Sequence, residues 1–321
     1  MNESNDVKIR LGVSTCLLGE RVRYDGGHKL DHYVRDTLGM VVEWVPVCPE
    51  VECGLPIPRE SMRLVGDPEA PRLIATKSGI DLTQQMLAWV EGKLDELAAS
   101  DLNGYIFKKD SPSSGAFRVK VYDKNGVPKR DGAGLFAGAF MKRFPHLPVE
   151  EEGRLHDLPL RENFIERIFT HARWTSLIQE NPTPGGLVQF HTAIKMTLLA
   201  HSPEHYTHLG RLVARAGTLP WDELSAQYCA ELMGGMAILA TRGRHANTLQ
   251  HLMGFLKTRL SSEDKEELLS LIEDYRNDLV PLIVPITLLK HHLARHPVPD
   301  WVHVQTYLNP YPKELMLRNH V

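Results

Sequence analysis

The sequence predicts an α/β domain with a mainly parallel sheet, followed by an α-helical bundle. Two observations carry this. In residues 1–150, short apolar runs alternate with helix-periodic segments, a pattern that argues for a layered, mainly parallel sheet. From residue 161 onward nearly every segment has the helical period, broken at proline or glycine. The stretch 145–160 is charged and punctuated by proline, so it reads as a linker, and the domains are drawn as 1–150 and 151–321.

Residues 8–14 read as a strand, and 41–47 as a second, rich in β-branched residues. Residues 72–76 and 105–108 give a third and a fourth. Residues 82–99 have helical spacing and good helix formers, with Asp81 as N-cap, and 134–144 read as a further helix. The second half offers helices over 161–179, 185–200, 203–216, 222–240, 244–258, 262–278 and 286–296. The breaks fall at Pro182, Pro184, Pro203, Pro220, Gly243, Pro281 and Pro285, while Ser202 and Ser261 look like helix starts.

Composition excludes several classes. At 42% apolar, 24% charged and a formal net charge of −3, the chain has no overall basic field for non-specific nucleic-acid binding. The polar N-terminus is no secretory signal. The apolar run 279–289 is interrupted by two prolines and falls short of the about 20 residues a membrane span needs. A cytoplasmic location, with no membrane partner, is expected. Four cysteines are too few for a disulfide scaffold, and three of them lie in the first 53 residues, which favours a metal site. Cys229 stands apart in an apolar helical run and reads as a packing residue.

In open α/β sheets ligands bind beyond the carboxyl ends of the strands. The first strand runs into Ser14, Thr15 and Cys16 and a loop with Arg23 and Tyr24. The second runs into Cys48-Pro49-Glu50-Val51-Glu52-Cys53, and the fourth into Lys108-Lys109-Asp110-Ser111-Pro112-Ser113-Ser114-Gly115. Thiolates suit iron–sulfur clusters and zinc. Cys16, Cys48 and Cys53 are the candidate ligands; on a four-iron cluster they leave one iron open, and for zinc His28 or Glu50 would complete the set. Glu50, in a dry pocket, suits proton transfer, whereas Glu52 reads as a solvated loop acid. The serine turn offers hydroxyls and backbone N–H groups to an anion or a substrate carbonyl.

Taken together and in order, Ser14-Thr15-Cys16-Leu17-Leu18-Gly19, Val22-Arg23-Tyr24-Asp25-Gly26, Cys48-Pro49-Glu50-Val51, Gly54-Leu55-Pro56 with Pro58-Arg59, and Lys108 with Ser111-Pro112-Ser113-x-Gly115 resemble the thiouracil desulfidase family over about residues 8–145. Phe190-His191-Thr192-Ala193, Ala200-His201-Ser202-Pro203 and the segment from Gln305 to His320 resemble the YbgA-like helical domain. The resemblance implies a [4Fe–4S] cluster on three cysteines whose fourth iron takes the sulfur of a thiolated pyrimidine. Thiouracil would become uracil and hydrogen sulfide without net redox change, through a transient [4Fe–5S] state. Cys16 and Cys48 match two ligand positions. The third, in short members a cysteine of the serine turn, is Ser114 here, and Cys53 is the replacement. Glu50 matches the family's acid and Ser111 its serine, with Ser113 a second hydroxyl. Ser14, Arg23, Tyr24, Lys108 and Ser114 are expected to bind substrate.

Two rival readings stand beside this one. The same cysteines could serve a zinc hydrolase or a structural zinc domain. Alternatively, the helical half, with 13 histidines after residue 150 and the run Arg242, Arg244, His245, could dock a protein or a thiolated tRNA. Nucleic acid is the less favoured partner.

Overall fold

The computed structural model describes residues 9–319. The chain divides into two compact units, Met1–His156 and Asp157–Val321.

The first unit runs β1 (Ile9–Ser14), β2 (Val42–Val47), α1 (Pro49–Glu52), β3 (Met62–Val65), β4 (Arg72–Ala75), α2 (Thr83–Ala98), β5 (Gly104–Phe107), β6 (Val119–Tyr122), β7 (Pro128–Gly132), α3 (Leu135–Arg143) and β8 (Val149–Glu151). One sheet has the order β2-β1-β5-β8, and every neighbouring pair in it is parallel. The chain steps from β1 to β2 on one side and later to β5 on the other. β1 is thus the switch point beyond which such sheets bind ligands. Gly12 lets β1 and β5 lie side by side, because a Cβ there would sit 2.1 Å from the Tyr105 ring. Tyr105 and Phe107, fully buried, stack at 4.1 Å and meet Phe136 and Phe140 of α3.

Four expectations need correction. Residues 72–75 form a strand, but of a second, mixed sheet, β4-β3-β6-β7. Its other strands are short, and β7 (PKRDG) is nearly all exposed and polar, so it lacks the alternation by which strands are read. The supposed linker contains β8, because Val149–Glu151 pairs with β5 and is buried there. Helix α2 is capped by Leu82 rather than Asp81, whose carboxylate instead accepts from Thr83 N at 3.0 Å. Pro285 does not break a helix; it sits in the first turn of one, where no backbone N–H is required.

The second unit is helical: α4 (Leu158–Glu180), α5 (Pro184–His201), α6 (Pro203–Ala214), α7 (Trp221–Ala237), α8 (Arg242–Met253), α9 (Ser262–Arg276), α10 (Ile283–Arg295) and α11 (Asp300–His303). Caps explain the starts. Asp157, Thr183, Ser202, Thr241 and Ser261 each accept a backbone N–H from the first turn, and Pro184 and Pro203 take the first helical position. No helix among the described residues is long and apolar enough to cross a membrane. Cys229 packs half-buried against the α5–α7 core, and burial pushes its thiol up to about 11.

Two core histidines make this unit acid-sensitive. Burial pulls His191 down to about 4 and His245 to about 3. His191 shares a 3.0 Å hydrogen bond with Tyr228, and His245 one of the same length with Tyr307. Unfolded histidines titrate near ~6.5, so below that pH the unfolded state binds more protons and stability falls as pH drops. Urea unfolding of the helical unit should show a loss of about 1–2 kcal/mol per histidine between pH 7.5 and pH 5. His191→Gln should flatten that slope; an unchanged slope would contradict the assignment.

Candidate active site

The carboxyl ends of the parallel strands border a cavity of about 350 Å³. Ser14, Cys16, Arg23, Tyr24, Cys48, Glu50, Lys108, Ser111 and Ser114 all line it. Ser113 is fully buried behind the wall, but its hydroxyl reaches the site. Cys53 does not line the cavity; its thiol donates to the Glu50 carbonyl at 3.3 Å. His28 is spent elsewhere, with Nδ1 accepting from Leu30 N at 3.2 Å.

Each loop holds its residue by backbone bonds. After β1 the chain tightens into a short 3₁₀ turn, Thr15–Leu18, closed by Gly19 at φ +100°. Cys16 is buried there and its carbonyl accepts from Lys29 N at 3.0 Å. After β2, Cys48 caps α1 and Pro49 opens it. The Cys48 N–H donates to the Glu52 carboxylate at 2.7 Å, and Lys93 pairs with the same carboxylate at 3.0 Å. Glu52, an exposed acid, thus also anchors the Cys48 backbone.

The serine turn is fixed from three sides. Ser111 Oγ accepts from Ser113 N at 3.3 Å and Ser114 N at 3.1 Å. Ser113 O accepts the first N–H groups of α3, from Phe136 and Ala137. Glycine is required at 134, where a Cβ would lie 2.4 Å from the Ser113 carbonyl carbon. The third hold comes from β8. Glu151 Oε1 accepts from Ala116 N and Phe117 N at 3.0 and 3.1 Å, and Glu152 accepts from Lys109 N at 2.7 Å and pairs with Lys108 Nζ at 2.5 Å. Two acids in the presumed linker thus clamp both ends of the loop.

Glu50 is the hub. Ser113 Oγ donates to its Oε1 at 2.5 Å and Ser111 Oγ at 3.5 Å; Cys48 Sγ lies 3.6 Å from its Oε2, and Arg59 Nη2 lies 3.9 Å from that same oxygen. Arg59, absent from the expected site, is buried in the cavity wall and donates to Val22 O at 3.1 Å, while its Nε has no hydrogen-bond partner. Its signal was the Pro58-Arg59 pair within the quoted motif. Tyr24 is exposed, with the Arg23 guanidinium over its ring at 5.4 Å. Burial pushes the Cys16 thiol up to about 11 and the Cys48 thiol up to about 12, and raises Cys53 too. Among the described residues, no three His, Cys, Asp or Glu side chains converge to hold a single metal ion.

Residues 11–152 match the 2-thiouracil desulfurase family. YbbK of Bacillus subtilis (strain 168), an uncharacterized protein, is 34% identical over 154 residues, which is 46% of this chain and 97% of YbbK. The chain belongs to the 2-thiouracil desulfurase family. Behind that domain, residues 195–312 match a second family, a protein of unknown function (DUF1722). The uncharacterized protein YbgA of Escherichia coli (strain K12) is 30% identical over 161 residues, 49% of this chain and 94% of YbgA. Among solved structures, the [4Fe-4S]-dependent thiouracil desulfidase TudS is 32% identical; the match covers 48% of this chain and 98% of that one, with a TM-score of 0.39. This member of the desulfurase family thus carries a YbgA-like helical unit behind its α/β unit.

The clamp from β8 makes a prediction. Burial raises the Glu151 carboxyl, while its two backbone donors pull it down. Hydrogen bonds to a charged group contribute about 1.5–3 kcal/mol. Glu151→Gln should cost that much in urea unfolding of the α/β unit. It should also speed amide exchange at Ala116 and Phe117; unaltered exchange at both would show that the carboxylate is not what holds the loop.

Proposed function

We propose that this chain hydrolyses the carbon–sulfur double bond of a thiolated pyrimidine such as thiouracil, giving the carbonyl base and hydrogen sulfide, with a [4Fe–4S] cluster held by Cys16, Cys48 and Cys53. The observation that carries this reading is Glu50, set between the Cys48 thiol and two serine hydroxyls in the wall of a cavity. Family membership supports the substrate class.

Two of the three thiols border the cavity that a cluster would share. Cys16 and Cys48 are buried thiols bordering one cavity. Desolvation keeps their protons on, so an iron site must displace them, as is normal for thiolate ligands. A mononuclear zinc site needs donors converging within about 2.0–2.3 Å of one point. The described residues offer no such set, while a cluster spreads its ligands over several irons. Cys53, five residues after Cys48 at the far end of α1, is the nearest third thiol, and Ser114 in the cavity wall is the competing donor. When bound, a cluster with one open iron supplies the Lewis acid that polarises the thiocarbonyl.

The rest is protein chemistry. Glu50 takes a proton from the attacking water and returns it to the departing sulfur, so C=S and H₂O become C=O and H₂S. The hydroxyls of Ser111 and Ser113 each donate to the Glu50 carboxylate and hold it in place. Arg59 lines the same wall, with its Nη2 3.9 Å from Glu50. Lys108, tied to Glu152, and Arg23 line the same wall and favour a ring carrying partial negative charge.

Anaerobic reconstitution with iron and sulfide should give about four irons per chain and turnover of 2- or 4-thiouracil. Cys16→Ser and Cys48→Ser should lose both iron and activity. Cys53→Ser should lose iron while Ser114→Ala keeps it; the reverse result would move the third ligand to Ser114. Glu50→Gln should retain the cluster and lose about 10²–10⁴-fold in kcat. A colourless protein that binds zinc and retains activity would overturn the reading.

A further inference from the structure

The helical unit has a cavity of its own, about 140 Å³, room for about five waters at ~30 Å³ each. Its polar end is unusual for a helix bundle. Glu162 and Glu166 on α4 and His201 at the end of α5 are at least nine-tenths buried. So is Arg318, which lies 3.1 Å from Glu166 and 3.5 Å from Glu162. Buried charges of this kind stand only when paired.

The two carboxylates are not equally satisfied. Glu166 has two partners besides the cavity. His201 Nε2 lies 2.8 Å from it, while the other nitrogen of that ring lies 2.7 Å from Ile238 O. Burial would raise Glu166, but His201 and Arg318 outweigh it and hold it down. Glu162 receives Tyr311 OH at 2.6 Å on Oε1, and its Arg318 contact is longer. Burial and the neighbouring Glu166 push it up. It is a buried acid short of a counter-charge.

Among the described residues, the Tyr275 hydroxyl and three further polar atoms of the cavity lining have no hydrogen-bond partner. Glu162 is engaged through Oε1, Asn163 through Nδ2 to Met236 O at 2.9 Å, and His245 through Nδ1 to Tyr307 OH at 3.0 Å. Glu162 Oε2, Asn163 Oδ1 and His245 Nε2 remain, all on side chains more than nine-tenths buried. His245 is neutral, its acidity set by burial, so Nε2 accepts when Nδ1–H donates to the tyrosine oxygen. The lining also includes the apolar side chains of Pro159, Leu239 and Ala240. An ammonium group has three donors and no acceptor.

We propose that this cavity binds a primary ammonium group on a short apolar stem, with Glu162, Asn163 and His245 as the three acceptors. The charge that the ligand brings is the one Glu162 lacks. The groups facing Glu162 are Glu166 on its own helix, His201, His245, Tyr311 and Arg318; Arg242 also lines the cavity and pairs with Asp278 at 2.5 Å. Ammonium binding requires the ionised acid. Affinity therefore rises with pH through neutrality, and binding near pH 7 expels a proton.

The test is calorimetric titration of the full chain with n-butylammonium, against n-butanol as a neutral control of the same shape. Saturable one-to-one binding of the ammonium and none of the alcohol is expected, with affinity at pH 8 several-fold above that at pH 6. Heats in buffers of different ionisation enthalpy should report a released proton in the wild-type chain, which needs no variant to fold. Glu162→Gln should weaken binding at least tenfold, and Asn163→Ala less. Nα-acetyl-lysine amide in place of butylammonium separates a free amine from a lysine side chain as the source: binding of both assigns the shared ammonium, and binding of butylammonium alone assigns a small amine. No saturable heat with butylammonium, equal binding of butanol, or no proton release would overturn the assignment.

Discussion

The site depends on four strands running in one direction. Because β2, β1, β5 and β8 are parallel, their carboxyl ends gather on one rim. Cys16, Cys48, Ser111 and Glu152, drawn from 137 residues of chain, meet there without a disulfide. The adjacency of β1 and β5 is decisive. It puts the Ser14 hydroxyl 2.9 Å from Lys108 N, so the first cysteine loop and the serine loop leave the sheet already joined. Any side chain at Gly12 would drive these two strands apart by collision with the Tyr105 ring, and the rim would lose its shape before any site residue was touched.

Within that rim, Glu50 is positioned by neutral donors more than by charge. Its strongest contact is the Ser113 hydroxyl, and its cation, Arg59, stays 3.9 Å away. A bidentate arginine would hold the carboxylate ionised and unavailable to a proton. Hydroxyls orient it while leaving it able to trade one. The positive side chains of the wall are also tethered outward: Lys108 to Glu152, and Arg23 to Asp25 at 3.6 Å. The cavity is therefore cationic at its margin, with Arg59, among the described residues, the one cation close to the acid.

Much of this was legible in the sequence, and what was not has a common cause. The three parallel strands that carry the motif loops are apolar runs, and the helices of the second half start at Ser202, Ser261 and the prolines where caps and fixed φ angles favour them. The second sheet was missed because β3, β6 and β7 are short and its strands face water with ordinary polar residues. β8 was read as linker because three consecutive acids look solvated; the partners of Glu151 and Glu152, the backbone of residues 116–117 and Lys108–Lys109, lie 34 to 44 positions away. The anchoring role of Glu52 was missed for the same reason, since Lys93 is remote in sequence. The run Arg242, Arg244, His245 looked like a basic face, yet Arg244 donates to His201 O at 2.8 Å and His245 is buried. Local pattern reveals which residues are apolar; it does not reveal which charges have partners.

The two units treat buried carboxylates in opposite ways, and the contrast explains why only one of them was readable as a site. In the α/β unit Glu50 announces itself by motif, lying two residues after a cysteine. In the helical unit Glu162 and Glu166 occupy ordinary helix spacing and look like a solvated face until Arg318, more than 150 residues later, closes over them. Replacing such a network by apolar residues of equal volume is often neutral or stabilising. Its presence in a bundle with ample apolar core is therefore not explained by stability alone. The asymmetry decides what it can do: Glu166 is spent on His201 and Arg318, whereas Glu162 keeps an unused oxygen beside open space. A fully satisfied cluster would be structural; this one leaves Glu162 Oε2 without a partner at the cavity.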